Sequence, residues 1–212
     1  MKTNRTVTSF FDKEYLEYAR YVVENRAIPS CIDGLKPTQR KVVYIANKIW
    51  KTGNEKPMKL FQLAGRVAAE AFYHHGNTSL ESSMVGMAQK FKNSLPLLQG
   101  VGQFGSLRSP AAGAPRYISA KLHPNFRLLY QDFDLLENKI EEGEKIEPAF
   151  FLPIVPTVIL NGTSGIAVGF ATNILNRNPK DVVDACISTL NDKRMKVLAP
   201  WIEEFKGTFT RD

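Results

Sequence analysis

The sequence predicts an α+β fold: a winged helix, that is a helix-turn-helix followed by a β-wing, running into a second, more β-rich unit. Three observations carry this. Apolar residues recur at helical spacing between Lys13 and Lys92, interrupted by short turns that contain glycine or proline. Between Leu95 and His123 the residues Gly100, Gly102, Gly105, Pro110, Gly113 and Pro115 break any helix and leave a hairpin or wing. After Pro148, "LPIVPTVILNGTSGIAVGFATNI" is β-branched and glycine-rich, which marks a soft domain boundary.

The first helix is expected over Lys13 to Arg26. There Tyr15, Tyr18, Ala19, Val22 and Val23 share one face, and the pattern stops before Pro29. "DGLKPTQRKVVYIANKIW" follows, with a turn, a proline suited to a first helical turn, and Val42, Ile45, Ala46 and Ile49 on one face. Its start is strongly basic, with Lys36, Arg40 and Lys41. A third helix is expected from Leu60 to Tyr73, stopping at "HHGN". Thr78-Ser79-Leu80-Glu81 reads as a capping box that opens a fourth helix from about Ser79 to Lys92. Residues 126–147 read as helix and then acidic loop; Phe150 to Leu160 reads as a buried strand, and Pro179 to Asp192 as a helix. The last residues resemble the start of a strand, as a truncated chain would show. Residues 1–30 thus form an arm and amphipathic helix, 31–147 the winged helix, and 148–212 the beginning of a further domain.

A hydrophobic content of 43% over 212 residues fills a real core. The net charge of +7, from 28 basic and 21 acidic residues, favours a polyanionic partner such as nucleic acid or a membrane surface. No signal segment opens the chain, and Pro153 and Pro156 interrupt its longest apolar stretch, so no membrane-spanning segment is expected; of the two polyanions, nucleic acid and no membrane is the partner expected. Cys31 and Cys186 have no metal-ligand spacing and read as free thiols in a reducing, intracellular compartment.

Several motifs fail on context. Gly100 to Gly105 satisfies G-x-G-x-x-G, but prolines and glycines follow where that motif needs a helix N-terminus. Gly162-Thr163-Ser164-Gly165 lacks the final glycine of a hydrolase elbow. His74 and His75 are adjacent, so on a helix they point about 100 degrees apart and make no metal pair. They read as a polar helix end or as phosphate hydrogen-bonders. The acidic run Asp132, Asp134, Glu137, Glu141, Glu142, Glu144 and Glu147 reads as a solvated face. In "AGAPRYISAKL", Arg116 stands directly before Tyr117 on a rigid turn. A tyrosine phenol, with an ordinary pKa near ~10, needs cations or a base before it attacks anything, and arginine supplies one. By itself such a pair is equally a packing tyrosine beside a solvated arginine.

Taken in order, "ENRAIPSCIDGLKPTQRKVVY", "YHHGNTSLESSMVGMAQKF", "GQFGS", "APRYISAKL" and "LPIVPTVILNGTSGIAVGFATNI" resemble the DNA breakage-and-reunion core of the type IIA DNA topoisomerases, from about Tyr15 to Pro179. The chain starts at Met1 with no ATPase part, which is similar to the multi-subunit enzymes of T-even-type bacteriophages, whereas "YHHG" resembles the eukaryotic members more than gyrase. The resemblance implies a winged-helix cleavage domain followed by a tower-like α/β domain. It makes Tyr117 the nucleophile that forms a 5′-phosphotyrosyl link, and Arg116 the stabiliser of charge on the phosphoryl oxygens. It brings Arg26, His75 and His74 to the same phosphate and gives Lys36, Arg40 and Lys41 to the DNA backbone. Thr78 matches a drug-pocket position of bacterial relatives, Gln103 lies in the matched "GQFGS" block as a DNA contact, and Ile166 matches an isoleucine wedged between base pairs. A plain core role for Ile166 stays open.

No "EGDSA"-like block is present, so the resemblance places Mg²⁺ on the toprim domain of a partner subunit, along with ATP on that partner's ATPase domain. It implies double-stranded DNA as substrate, a second copy of the chain in a two-fold assembly, and the host cytoplasm or nucleoid if phage-encoded. Two rivals remain on the residues alone: a non-enzymatic winged-helix DNA binder, and a tyrosine recombinase, whose His-x-x-Arg element is absent.

Overall fold

The computed structural model describes residues 6–52, 56–191, 194 and 197–210. The chain enters on a helical rod of α1 (Val7–Phe10), a π-turn (Phe11–Tyr15), α2 (Leu16–Val22) and a second π-turn (Val23–Ala27), longer than the expected Lys13 to Arg26. The Thr6 hydroxyl opens it by accepting from the Ser9 amide at 3.2 Å. Pro29 closes it, because the residue before a proline is pushed out of the helical region, and Ile28 is extended at φ −92°. The expected apolar face is mostly uncovered: Val22 is buried, whereas Tyr15 and Tyr18 are exposed.

The winged helix follows in the order α3 (Pro37–Ile49), β1 (Met58–Lys59), α4 (Leu60–Glu70), α5 (Asn77–Ala88), β2 (Leu98–Val101) and β3 (Ser119–Leu122). The three strands form one antiparallel sheet in the order β1-β3-β2, with Leu98 opposite Leu122 and Lys59 opposite Ser119. Pro37 occupies the first turn of α3, as expected, and the helix buries Val42, Val43, Ile45 and Ala46. These pack with Leu60, Leu63 and Val67 of α4, Leu80 and Met84 of α5, and Leu98 and Ala120 of the sheet.

Two helix ends differ from expectation. α4 stops at Glu70 because Phe72 turns the chain through a left-handed conformation at φ 49°. α5 is capped at Gly76, which places Ser79 rather than Glu81 in the third helical position, so the capping box does not form. The helix ends at Ala88, and Asn93 ties its last turn by donating from its side-chain amide to the Gly86 and Gln89 carbonyls.

Beyond the wing, α6 (Pro124–Leu129) carries Phe126 and Leu129 into the same core. The expected acidic loop is instead a hairpin, β4 (Asn138–Glu141) with β5 (Glu144–Pro148). Glu142 and Gly143 form its two-residue turn, both at positive φ, the geometry that matches the twist of paired strands. The stretch read as a buried strand is a bridge at Pro153 followed by a short helix, α7 (Thr157–Leu160). β6 (Thr163–Ile166) and β7 (Ala171–Ile174) form a second hairpin, and α8 (Pro179–Leu190) begins where expected, capped by the Asn178 side chain accepting from the Lys180 amide. Asp192, its expected end, lies outside the described residues, as do residues 1–5 of the N-terminal arm. Among the described residues 207–210 there is no strand. Phe151, Leu160 and Val182 join the winged-helix core. No helix among the described residues is long and apolar enough to cross a membrane.

Candidate active site and nucleic-acid interface

The loop between β2 and β3 is the wing, and it carries Arg116 and Tyr117. The Tyr117 side chain stands in solvent, with the residue 70% exposed, and the Arg116 guanidinium carbon lies 5.0 Å from its ring centroid. The loop beneath is pinned. Buried Gln89 donates from Nε2 to the Phe104 carbonyl at 2.7 Å and to the Pro110 carbonyl at 3.0 Å. The Gly113 amide donates to the Gln103 carbonyl, and the Tyr117 amide to the Ala114 carbonyl. Gly105, at φ +81°, passes so close to Pro110 that a Cβ there would lie 2.6 Å from its carbonyl oxygen. The phenol is therefore presented on a rigid platform.

A cavity of about 970 Å³ opens elsewhere on the molecule, and Arg26, Lys36, Lys41, His74, His75 and Ile166 all line it. The second π-turn of the N-terminal rod brings Arg26 to the wall. The turn between α4 and α5 brings the histidines. The His75 ring packs edge-on against Tyr73, with its Nε2 3.5 Å from the Tyr21 hydroxyl. His74 Nε2 lies 3.3 Å from a Glu141 carboxylate oxygen. Lys36 sits at the start of α3 with no ion-pair partner among the described residues, and burial holds its pKa below the ordinary 10.5. Ile166, at the end of β6, is 85% exposed, so a core role is excluded. Its hairpin is seated against the rod: a Cβ on neighbouring Gly165 would lie 2.2 Å from the Ala27 carbonyl oxygen.

Two residues expected on the DNA backbone are committed elsewhere. Arg40 is buried; its Nε and Nη2 donate to the two Asp33 carboxylate oxygens at 2.7 and 3.0 Å, and Nη2 also donates to the Leu35 carbonyl. Lys41 donates to the Ala71 carbonyl and to Glu147 at 3.1 Å, with Glu141 at 3.6 Å, so its ammonium is already neutralised. The acidic run is correspondingly not a uniform solvated face. Glu147 is buried, and burial pushes its carboxyl up while Lys41 pulls the other way.

Thr78, in the first turn of α5, and Gln103, on the wing, are exposed and do not line the cavity. Nor do Arg116 and Tyr117. Sequence reasoning missed Ser79, Ser82 and Ser83, which line the cavity from one side of α5, because serines on a helix carry no distinctive spacing signal. It also missed Lys59, whose ammonium donates to the Tyr117 carbonyl at 2.9 Å. Among the described residues no group of His, Cys, Asp or Glu side chains could hold a metal ion; the acidic residues lining the cavity are paired, Asp33 with Arg40 and both Glu141 and Glu147 with Lys41.

Residues 26–212 match the family of DNA gyrase/topoisomerase IV A subunits. The chain belongs to that family. It is 45% identical over 206 residues to the DNA topoisomerase medium subunit of Enterobacteria phage T4, covering 96% of this chain and 46% of that one. It is 43% identical over 215 residues to the mitochondrial DNA topoisomerase 2 of Dictyostelium discoideum, covering 98% of this chain and 16% of the relative. A crystal structure of the DNA-binding, cleavage and re-ligation domain of Plasmodium falciparum topoisomerase II superposes with a TM-score of 0.84 at 37% identity, over 94% of this chain and 28% of that one. The chain thus spans less than half the length of these relatives. The winged helix and its wing are the fold of a type II topoisomerase cleavage region, and the exposed Arg116-Tyr117 pair lies within the matched residues.

Proposed function

We propose that this chain is the DNA breakage-and-reunion part of a type II DNA topoisomerase, with Tyr117 as its nucleophile. The observation that carries the reading is a tyrosine held in solvent on a rigid wing with a guanidinium 5.0 Å from its ring. The phenolic oxygen attacks a DNA phosphorus, the P–Oη bond forms, and the bond to the 3′ oxygen breaks. The products are a 5′-phosphotyrosyl chain and a free 3′ hydroxyl. The phenolic proton passes to solvent or base, and the reverse attack by the 3′ hydroxyl reseals the strand. Arg116 stabilises the charge that builds on the phosphoryl oxygens, a role worth roughly 10³–10⁵ in rate in other phosphoryl-transfer enzymes.

The cavity provides the duplex surface: Arg26, Lys36 and the histidines meet phosphates, and exposed Ile166 enters a base step to favour a bent substrate. Arg116 and Tyr117 are not among the residues of this wall, and a two-fold assembly, in which a second copy completes each site, is the arrangement we assign to bring them together. Residues 31–147 act as the winged-helix unit and 148–212 belong to a tower-like domain. Mg²⁺ and ATP are assigned to a toprim- and ATPase-bearing partner subunit inside the cell, where a bound metal ion would supply positive charge for the phosphoryl-transfer step.

The test is Tyr117→Phe in the complex with that partner, Mg²⁺ and plasmid, denatured abruptly. Covalent protein–DNA adduct disappears while duplex affinity stays within about two-fold, since one exposed hydroxyl adds little to a surface dominated by phosphate contacts. Adduct that persists in the variant contradicts the reading.

A further inference from the structure

We propose that Lys59 is the positioning residue of Tyr117, an inference that rests on the reading of Tyr117 as nucleophile. Lys59 is the last residue of β1, immediately before α4, and 58 residues separate it from the wing tyrosine. Its ammonium donates to the main-chain carbonyl of Tyr117 at 2.9 Å. The Tyr117 amide donates to the Ala114 carbonyl at 2.9 Å. Both main-chain polar groups of the tyrosine are therefore held, so the two peptide planes that flank it are fixed, and with them the direction of its Cα–Cβ bond.

The lysine itself stands on regular structure. Lys59 pairs with Ser119 and Met58 with Ala120 across the sheet, and the Leu60 amide donates to the Ile118 carbonyl at 3.1 Å. No carboxylate among the described residues pairs with the ammonium, which has three donors and spends one here. Arg116 approaches the ring and Lys59 the backbone, so the tyrosine is flanked by two cations with different tasks.

Misplacement of a reacting group by about 1 Å costs on the order of 10²-fold in rate, which sets the scale of the effect. The test compares the wild-type chain, Lys59→Met and Lys59→Arg, each complexed with Mg²⁺ and the partner subunit. It measures the single-turnover rate of covalent adduct formation on saturating duplex, the duplex Kd and the melting temperature. Lys59→Met keeps the stem and loses the donor; its adduct rate falls about 10- to 100-fold with Kd and melting temperature unchanged, and Lys59→Arg restores most of the rate.

An undiminished rate in Lys59→Met overturns the inference alone. So does a weakened Kd with the saturated rate intact, which makes Lys59 a phosphate contact, or a rate loss that only tracks a lowered melting temperature. No adduct from the wild-type complex overturns the reading of Tyr117, and this inference with it.

Discussion

At the scale of single residues, environment rather than residue type decides what each cation does. Lys36, Arg40 and Lys41 lie within six positions at the start of one helix and look alike in the sequence. In the fold, Arg40 is locked to Asp33, whose carboxylate also accepts from the Leu35 and Phe151 amides, and whose carbonyl accepts from the Tyr130 and Thr157 hydroxyls. Asp33 thus ties the winged helix to the segment after Pro148. Removing one partner of a buried ion pair leaves an uncompensated charge, at a cost of about 3–5 kcal/mol. Arg40→Met is expected to lose stability of that order in a denaturant titration. Lys36→Met is expected to leave stability nearly unchanged and to weaken duplex binding, lowering the log–log salt slope by about 0.9. Equal stability losses in both contradict the division of labour. The sequence could not make this division, because Glu147, which pairs with Lys41, and Phe151, whose amide donates to the Asp33 that holds Arg40, lie more than a hundred residues away.

At the scale of elements, the change of hydrophobic period made the winged helix legible: helical spacing through α3, α4 and α5, then glycine and proline where the wing begins. The β4–β5 hairpin was illegible for the converse reason. Its charged residues carry no alternation, since Glu147 is buried by pairing with a lysine rather than by being apolar. Short α7 hid inside a β-branched stretch whose residues fit a helix only in the packed molecule.

Element ends depend on protonation too. His123 caps α6 by accepting from the Asn125 amide at Nδ1, 3.1 Å away, and so must be neutral at that nitrogen. Burial, reinforced by Lys90 and Lys121, holds its pKa below the ordinary 6.5, against the opposing effect of Asn125. A group whose folded pKa is lowered stabilises above its unfolded pKa and loses that contribution as pH falls through the folded one. The melting temperature is expected to decline as pH drops below 6.5, and His123→Asn, which keeps a capping acceptor, is expected to flatten that part of the decline. An identical pH profile in the variant contradicts the cap as its source.

At the scale of the whole molecule, the site is distributed. The wing presents Arg116 and Tyr117, and the cavity gathers Arg26, Lys36, His74, His75 and Ile166 from the rod, α3, the α4–α5 turn and the β6–β7 hairpin. The ordered sequence blocks name all of these residues, but only the fold shows that the wing pair is not part of the cavity wall, that Arg40 is buried on Asp33, and that Lys41 lines the cavity already paired with Glu147 and Glu141. The central claim is that one phenolic oxygen becomes bonded to DNA. Its most direct measurement traps the adduct formed with Mg²⁺ and the partner subunit, digests the DNA with nuclease, and maps the residual nucleotide by peptide mass spectrometry, with end analysis of the cut strand. The account predicts a nucleotide on Tyr117, joined through a 5′ phosphate, and a free 3′ hydroxyl on the other fragment. A nucleotide on any other residue, or a 3′-linked adduct, contradicts it.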